Sequence, residues 1–218
     1  MELIAITQAR IAAMIQLHEW DPFGKALTLE ALGTLGKRYS FAKVPTKLED
    51  VDFQRGVELQ EGRHREIRVD RIVIFLNAIV VDTRSSTEDS QVILNDLLEL
   101  SRGTFGSGLK PARQTFASQL VFRSEMQLAK MNPILSRMAG VLSERTSSDL
   151  RHPFTVEPTA ILLHVDTAQA RTTPATFSIE RRNEIPFAEK TYFSSAPLRT
   201  VEHVKLVEEF EAALLGCE

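Results

Sequence analysis

The sequence predicts an α+β fold: an antiparallel, meandering sheet with helices packed mainly on one face, in two similar halves that each end in an amphipathic helix. Three observations carry this. The stretch Ile72–Thr83, IVIFLNAIVVDT, is the most apolar of the chain, and an amphipathic helix follows it at once. A second group of segments, Thr159–Asp166, Ala175–Arg182 and Lys190–Ser194, has strand character and again leads into such a helix. Strands followed by a hydroxyl-capped helix thus occur over Gly56–Arg102 and over Thr159–Leu214, an echo in element order without matching residues.

Taken in order, residues 2–18 read as a helix, with Ile4, Ile11, Met14, Ile15 and Leu17 mostly on one face and no Gly or Pro inside. Asp21-Pro22-Phe23-Gly24 is a turn signal, and Lys25–Lys37 a second helix with a Leu27, Leu32, Leu35 stripe. Tyr39–Val44 fits a short strand. Gly56–Gln60 and His64–Val69 read as a hairpin around Glu61-Gly62, with Gly62 supplying a positive φ. Within the charged run 63–71, alternation places His64, Glu66, Arg68 and Asp70 on one face and Arg65, Ile67 and Val69 on the other. Ile72–Leu76 is apolar at every position, as in a strand covered on both sides, and Asn77-Ala78 is the expected turn into Ile79–Thr83.

The run Ser85-Ser86-Thr87-Glu88-Asp89 opens a helix by supplying a hydroxyl cap and acidic residues at the positive end of the dipole. Its apolar face is Ile93, Leu94, Leu97, Leu98 and Leu100, with Gly103 as the expected C-cap. Arg113–Arg123 alternates like a strand. Asn132-Pro133 then caps and starts a helix whose Met131, Leu135, Met138 and Leu142 are expected to fill core. Thr146–Glu157 reads as a polar linker. His164 alternates with Ala160 and Leu162 and is expected to face inward. Thr200 caps the last helix, with Leu206, Val207, Phe210, Ala213 and Leu214 facing one way. The expectation is one domain over 1–218: an N-terminal helical segment 1–38, a first meander plus helix over 39–103, and a second β/α half over 113–216.

Bulk properties bound the function. With 218 residues and 43% hydrophobic content, the chain buries a sizeable core without a disulfide or metal. A net charge of −3 argues against a broad basic surface for nucleic acid. The single cysteine, Cys217, forms no internal disulfide. The N-terminal text lacks a secretory pattern. The longest apolar run, Ile72–Val81, is far short of the roughly 20 residues a membrane span needs, so a soluble, cytoplasmic protein without membrane association is expected. The five histidines have no metal-ligand spacing, there is no C-x-x-C, and nucleophile-elbow and phosphate-loop motifs are absent. The glycines of Gly103–Ala112 leave a helix C-terminus, the wrong end for a phosphate. No catalytic residue, metal site or cofactor is assigned.

The residues with binding character are Arg63, Arg65 and Arg68 on the charged hairpin, Asp82 and Arg84 where the apolar strand meets its helix, and Arg181 and Arg182 at the end of a later strand. Exclusion of chemistry, together with apolar helices in surplus at both ends, points to a non-enzymatic protein-binding or assembly module that self-associates as a homo-oligomer or holds a protein partner. The alternatives are an enzyme or small-ligand receptor with a pocket between sheet and helices, lined by Arg65, His164 and Arg181, and nucleic-acid recognition by a curved sheet. The element order is similar to that of helix-grip and TATA-box-binding-protein-like folds; the nucleic-acid reading rests on Arg63, Arg65, Arg68, Arg181 and Arg182.

Overall fold

The structure, a computed structural model, describes residues 1–15, 28–105, 110–166, 168, 174–182 and 184–216. The Asp21–Gly24 turn, residues 106–109 of the Gly103–Ala112 loop and Cys217 therefore lie outside the described residues. In chain order the elements are β1 (Glu2–Met14), α1 (Leu29–Arg38), β2 (Val57–His64), β3 (Ile67–Ile74), β4 (Ala78–Thr83) and α2 (Thr87–Phe105), then β5 (Arg113–Arg123), α3 (Pro133–Leu150), β6 (Ala160–Leu163), β7 (Phe177–Arg181), β8 (Thr191–Ala196) and α4 (Thr200–Leu215). The strands form one antiparallel sheet in the order β2-β3-β4-β1-β5-β8-β7-β6. The α+β class and its two similar halves follow directly: each half runs β-α-β-β-β-α, and the orders β2-β3-β4-β1 and β6-β7-β8-β5 are the same. An offset of 113 residues separates Ala78 from Thr191, Thr83 from Ala196 and Thr87 from Thr200.

The chain divides into two compact units, one of Ile6–Gln119 with Pro197–Val201, the other of Met1–Ala5, Leu120–Ala196 and Glu202–Glu218. We call them the N-terminal and C-terminal units.

The opening segment corrects the sequence reading. Residues 2–14 are a strand, not a helix. Ala, Gln, Arg and Met all favour helix in isolation, but Ala9, Ile11, Ala13 and Ile15 are each at most 3% exposed and alternate with outward Gln8, Arg10 and Met14. Counting the small alanines among the buried positions turns a loose helical stripe into a period of two. Pairing with β4, from Ala9 opposite Thr83 to Met14 opposite Ala78, decides the matter.

On one face of the N-terminal unit's sheet, Ile11, Leu59, Val69, Ile72 and Val81 pack with Leu32 of α1 and Ile93, Leu94, Leu97 and Leu98 of α2 in one cluster. The C-terminal end of α1 is tied to the middle of α2. Arg38 donates to Asp96 at 2.8 and 2.5 Å, and the Tyr39 hydroxyl donates to the same carboxylate at 2.5 Å. These bonds hold Asp96 at a pKa of about 2, against partial burial.

The β2–β3 hairpin turns at Arg65-Glu66, with Arg65 at φ 55°, four residues after the expected Glu61-Gly62 turn. Positive φ falls on Glu61, at 58°, within β2. Gly62 serves another purpose: a Cβ there would sit 2.4 Å from the Phe41 ring. Tyr39–Val44 contributes an isolated bridge, Lys43 to Gln60, rather than a strand. Ile72–Ile74 are 1–5% exposed, as a doubly covered strand should be, but the expected coverage to Leu76 is not met: β3 ends at Ile74, Leu76 is 46% exposed, and the turn into β4 lies at Leu76-Asn77, one residue earlier than expected.

Ser86 accepts the Asp89 amide at 3.0 Å, which makes it the hydroxyl cap of α2. The helix runs through Gly103 to Phe105, so Gly103 does not end it. A second device joins the N-terminus of α2 to that of α4. The Thr87 amide donates to Thr200 Oγ1 at 3.0 Å, and the Thr200 amide donates to Thr87 Oγ1 at 2.8 Å. Each helix end satisfies an otherwise unpaired amide of the other.

In the C-terminal unit, Phe122 of β5 stacks on Tyr192 of β8 at 5.7 Å, and the Tyr192 hydroxyl donates to the Met126 carbonyl at 2.6 Å. α4 turns His203, Val207 and Glu211 inward while Leu206 is 37% exposed, a face rotated from the expected one. α3 starts as the sequence indicates, Asn132 Oδ1 accepting the Ile134 and Leu135 amides, but continues through the expected linker to Leu150.

Candidate functional site

The outer face of the N-terminal unit's sheet gathers part of the charged set. Arg10 and Arg71 are the direct cross-strand neighbours of Asp82 on either side. Arg10 binds Asp82 through two bonds of 2.7 and 2.8 Å, and Arg71 adds a third at 2.7 Å. The row continues through Arg71 to Glu58 at 3.3 Å and from Gln60 to Glu58 at 2.5 Å. Burial raises the pKa of the Asp82 carboxyl, but the hydrogen bonds from both guanidiniums outweigh it and hold the group below the usual range.

A bulge between Val69 and Arg71 puts Asp70 and Arg71, consecutive in sequence, on this same face. Asp70 accepts Arg84 Nε at 2.5 Å and lies 3.9 Å from Arg68. Thr7, Gln8 and Gln119 complete a shallow depression of about 460 Å³. Arg68, Asp82 and Arg84 are thus brought together with Asp70, which the alternation already sets on one face with Arg68, and with Arg10 and Arg71, which the sequence does not place there. Each guanidinium on this face is matched by a carboxylate.

Arg63 and Arg65 lie at the hairpin tip. Arg63 Nε donates to the Arg65 carbonyl at 2.9 Å and Nη2 to Glu66 at 3.1 Å, so the guanidinium braces the turn. Arg65, on the exposed turn, does not enter the sheet–helix layer.

Arg181 and Arg182 belong to the C-terminal unit and diverge. Arg181 is 12% exposed, bonds Glu157 at 2.7 Å and the Phe187 carbonyl, and lies 4.5 Å over the Phe187 ring. Its Nε has no partner among the described residues, and the side chain borders a depression of about 360 Å³ with Gln127, Ser136, Gly140 and Val156. Arg182 reaches outward to Glu184 at 3.5 Å. His164, one residue past β6, is exposed rather than inward, 3.2 Å from the Thr176 hydroxyl; Ala160 and Leu162, with which it alternates, are exposed as well.

One pair resembles a nucleophile and base: Ser194 Oγ lies 2.8 Å from His203 Nε2. The same hydroxyl donates to the Ser178 carbonyl at 2.7 Å, so its proton is committed and the imidazole must supply the proton between them. Both residues are fully buried, and burial lowers the His203 pKa to about 4. The arrangement fixes strand to helix. Nothing in the spacing of Ser194 and His203 announces it. Among the described residues no group of His, Cys, Asp or Glu is placed to hold a metal, and no helix is long and apolar enough to cross a membrane.

The strongest departure from expectation is α3. Ser136, Ala139 and Ser143 form its inward face: Ser136 donates to the Ala129 carbonyl at 2.6 Å, and Ser143 accepts the Val156 amide at 2.9 Å. Its apolar residues point the other way. Met131, just before the helix, is 47% exposed, Leu135 47%, Met138 56% and Leu142 51%, and Ile134 and Val141 lie beside them. The residues expected to fill core are therefore at the surface, because a small-residue face settles on this unit and leaves the large side chains outward.

The chain matches no protein-family model and no curated protein. A functional reading therefore rests on these surfaces alone.

Proposed function

We propose that the protein is a non-enzymatic protein-binding or assembly module, and that the apolar face of α3 is its contact surface. The observation that supports this is the inverted helix: small hydroxyl residues inward, Ile134, Leu135, Met138, Val141 and Leu142 outward. A contiguous exposed apolar patch rimmed by polar residues is characteristic of an interaction site. The charged face of the N-terminal unit's sheet is internally paired, Arg10 and Arg71 with Asp82 and Arg84 with Asp70, which makes it the weaker candidate.

The test separates a contact surface from core. Measured at a protein concentration low enough that the parent is dissociated, so that lost association does not enter, Leu135→Glu together with Met138→Glu should leave unfolding stability within about 0.5 kcal/mol of the parent, as for ordinary surface changes. The same substitutions should change the association state measured by light scattering. A loss of about 3 kcal/mol or more, the range for disrupting a packed interior, would refute the reading.

A further inference from the structure

We propose that the α3 surface is occupied by a second copy of this chain, the two helices packing antiparallel about a two-fold axis at Met138. This rests on the assembly reading above and names its partner. The stripe is symmetric in spacing: Ile134 and Leu135 precede Met138 by four and three residues, and Val141 and Leu142 follow it by three and four. A two-fold axis through Met138 sets that residue against itself, Ile134 against Leu142 and Leu135 against Val141. That is the self-complementarity an isologous interface requires.

The charges select this arrangement. With the axis at Met138, Arg137 falls opposite Ala139, and Glu144 and Arg145 pass beyond the start of the partner's α3 at Pro133, clear of any like charge. With the axis one turn later at Val141, Arg137 would meet Arg145. Parallel packing would set Arg145 on Arg145 and Asp149 on Asp149. The antiparallel register at Met138 avoids these like-charge contacts.

Each large apolar side chain carries on the order of 100 Å², and the five of the stripe together with Met131 are 42–67% exposed as whole residues. Two copies therefore bury roughly 600 Å² from these side chains and more from the neighbouring atoms that the contact covers, the size of a weak or transient interface. A membrane surface is a poorer match. Arg137 and Arg145 are balanced by Glu144 and Asp149, so the helix lacks the basic flank of interfacial helices.

The experiment uses the full chain carrying Cys217→Ser, so that each added thiol is unique. Light scattering should give a dimer mass for the parent and a monomer mass for Leu135→Glu/Met138→Glu. Mild oxidation should cross-link Met138→Cys to itself. Ile134→Cys should cross-link to Leu142→Cys when the two proteins are mixed, and Leu142→Cys alone should remain uncross-linked. Efficient self-cross-linking of Leu142→Cys would overturn the antiparallel register. A strict monomer whose Met138→Cys thiol reacts rapidly with maleimide would overturn the second copy but leave the assembly reading standing with another partner. A monomer whose thiol is protected would overturn both, since the chain would then cover the face itself. Sedimentation of the monomer with anionic phosphatidylserine vesicles would overturn the proposal in favour of a lipid surface.

Discussion

Acid should weaken the C-terminal unit through His203. The ring is fully buried, with Nε2 against Ser194 and its face near Phe177 at 6.4 Å, and burial depresses its pKa to about 4. An unfolded chain returns it to about 6.5. The folded pKa is the lower one, so between these values the unfolded state binds a proton that the folded state does not. Stability is full above about pH 6.5 and falls as pH drops toward 4, by up to about 1.4 kcal/mol per pH unit and about 3 kcal/mol in all. Urea unfolding followed by circular dichroism at several pH values measures this, with His203→Gln as the reference. Gln keeps a donor for Ser194 but has no proton to gain, so the variant loses this component of the pH slope while other groups contribute equally to both proteins. Parallel pH profiles for parent and variant, or a His203 ring resonance titrating near 6.5, would refute the reasoning.

Three further outcomes follow from the N-terminal unit. Asp82→Asn should cost about 2 kcal/mol in urea midpoint measurements: a buried carboxylate leaves two guanidiniums facing each other, and the arginines' 32% and 38% exposure moderates the loss. Gly62→Ala should cost about 1–3 kcal/mol, because the new methyl meets the Phe41 ring at 2.4 Å, and Phe41→Leu should relieve part of that cost in the double variant. Thr87→Val and Thr200→Val should each cost about 1–2 kcal/mol, and a double-mutant cycle should show coupling above about 0.5 kcal/mol because each hydroxyl caps the other's helix.

Where local text and tertiary packing agree, the sequence was readable. Ile72–Ile74 is apolar on both sides and is covered on both sides; Ser86 is the hydroxyl before an apolar face and does cap it; Arg113–Arg123 alternates and is β5 residue for residue. It failed where the two part. β1 is written in helix-forming residues but held by its neighbours on the sheet, an instance of tertiary context overriding propensity. The Arg10–Asp82–Arg71 row depends on cross-strand register, which local periodicity does not encode. A signal was nonetheless present, in an aspartate closing an otherwise apolar strand: a carboxylate that is 5% exposed needs charged partners. The Asp70 bulge, which turns two consecutive charges to one face, left no mark in the alternation.

The contrast between the two halves locates the functional problem. Each has a helix between its first and second strands. In the N-terminal unit that helix is α1, which puts Leu32 in the core and is bonded to α2 through Arg38 and Tyr39. In the C-terminal unit it is α3, nearly twice as long, which puts Ala139 and two serines inward and Met138 outward. Topology is the same, so topology does not explain the difference. Stability does not explain it either, since exposed Leu and Met side chains gain nothing from burial within their own unit. A helix with one face fitted to its unit and the other apolar and open is accounted for when something outside the unit covers that open face. On the two-fold pairing proposed above, a second such helix would cover it.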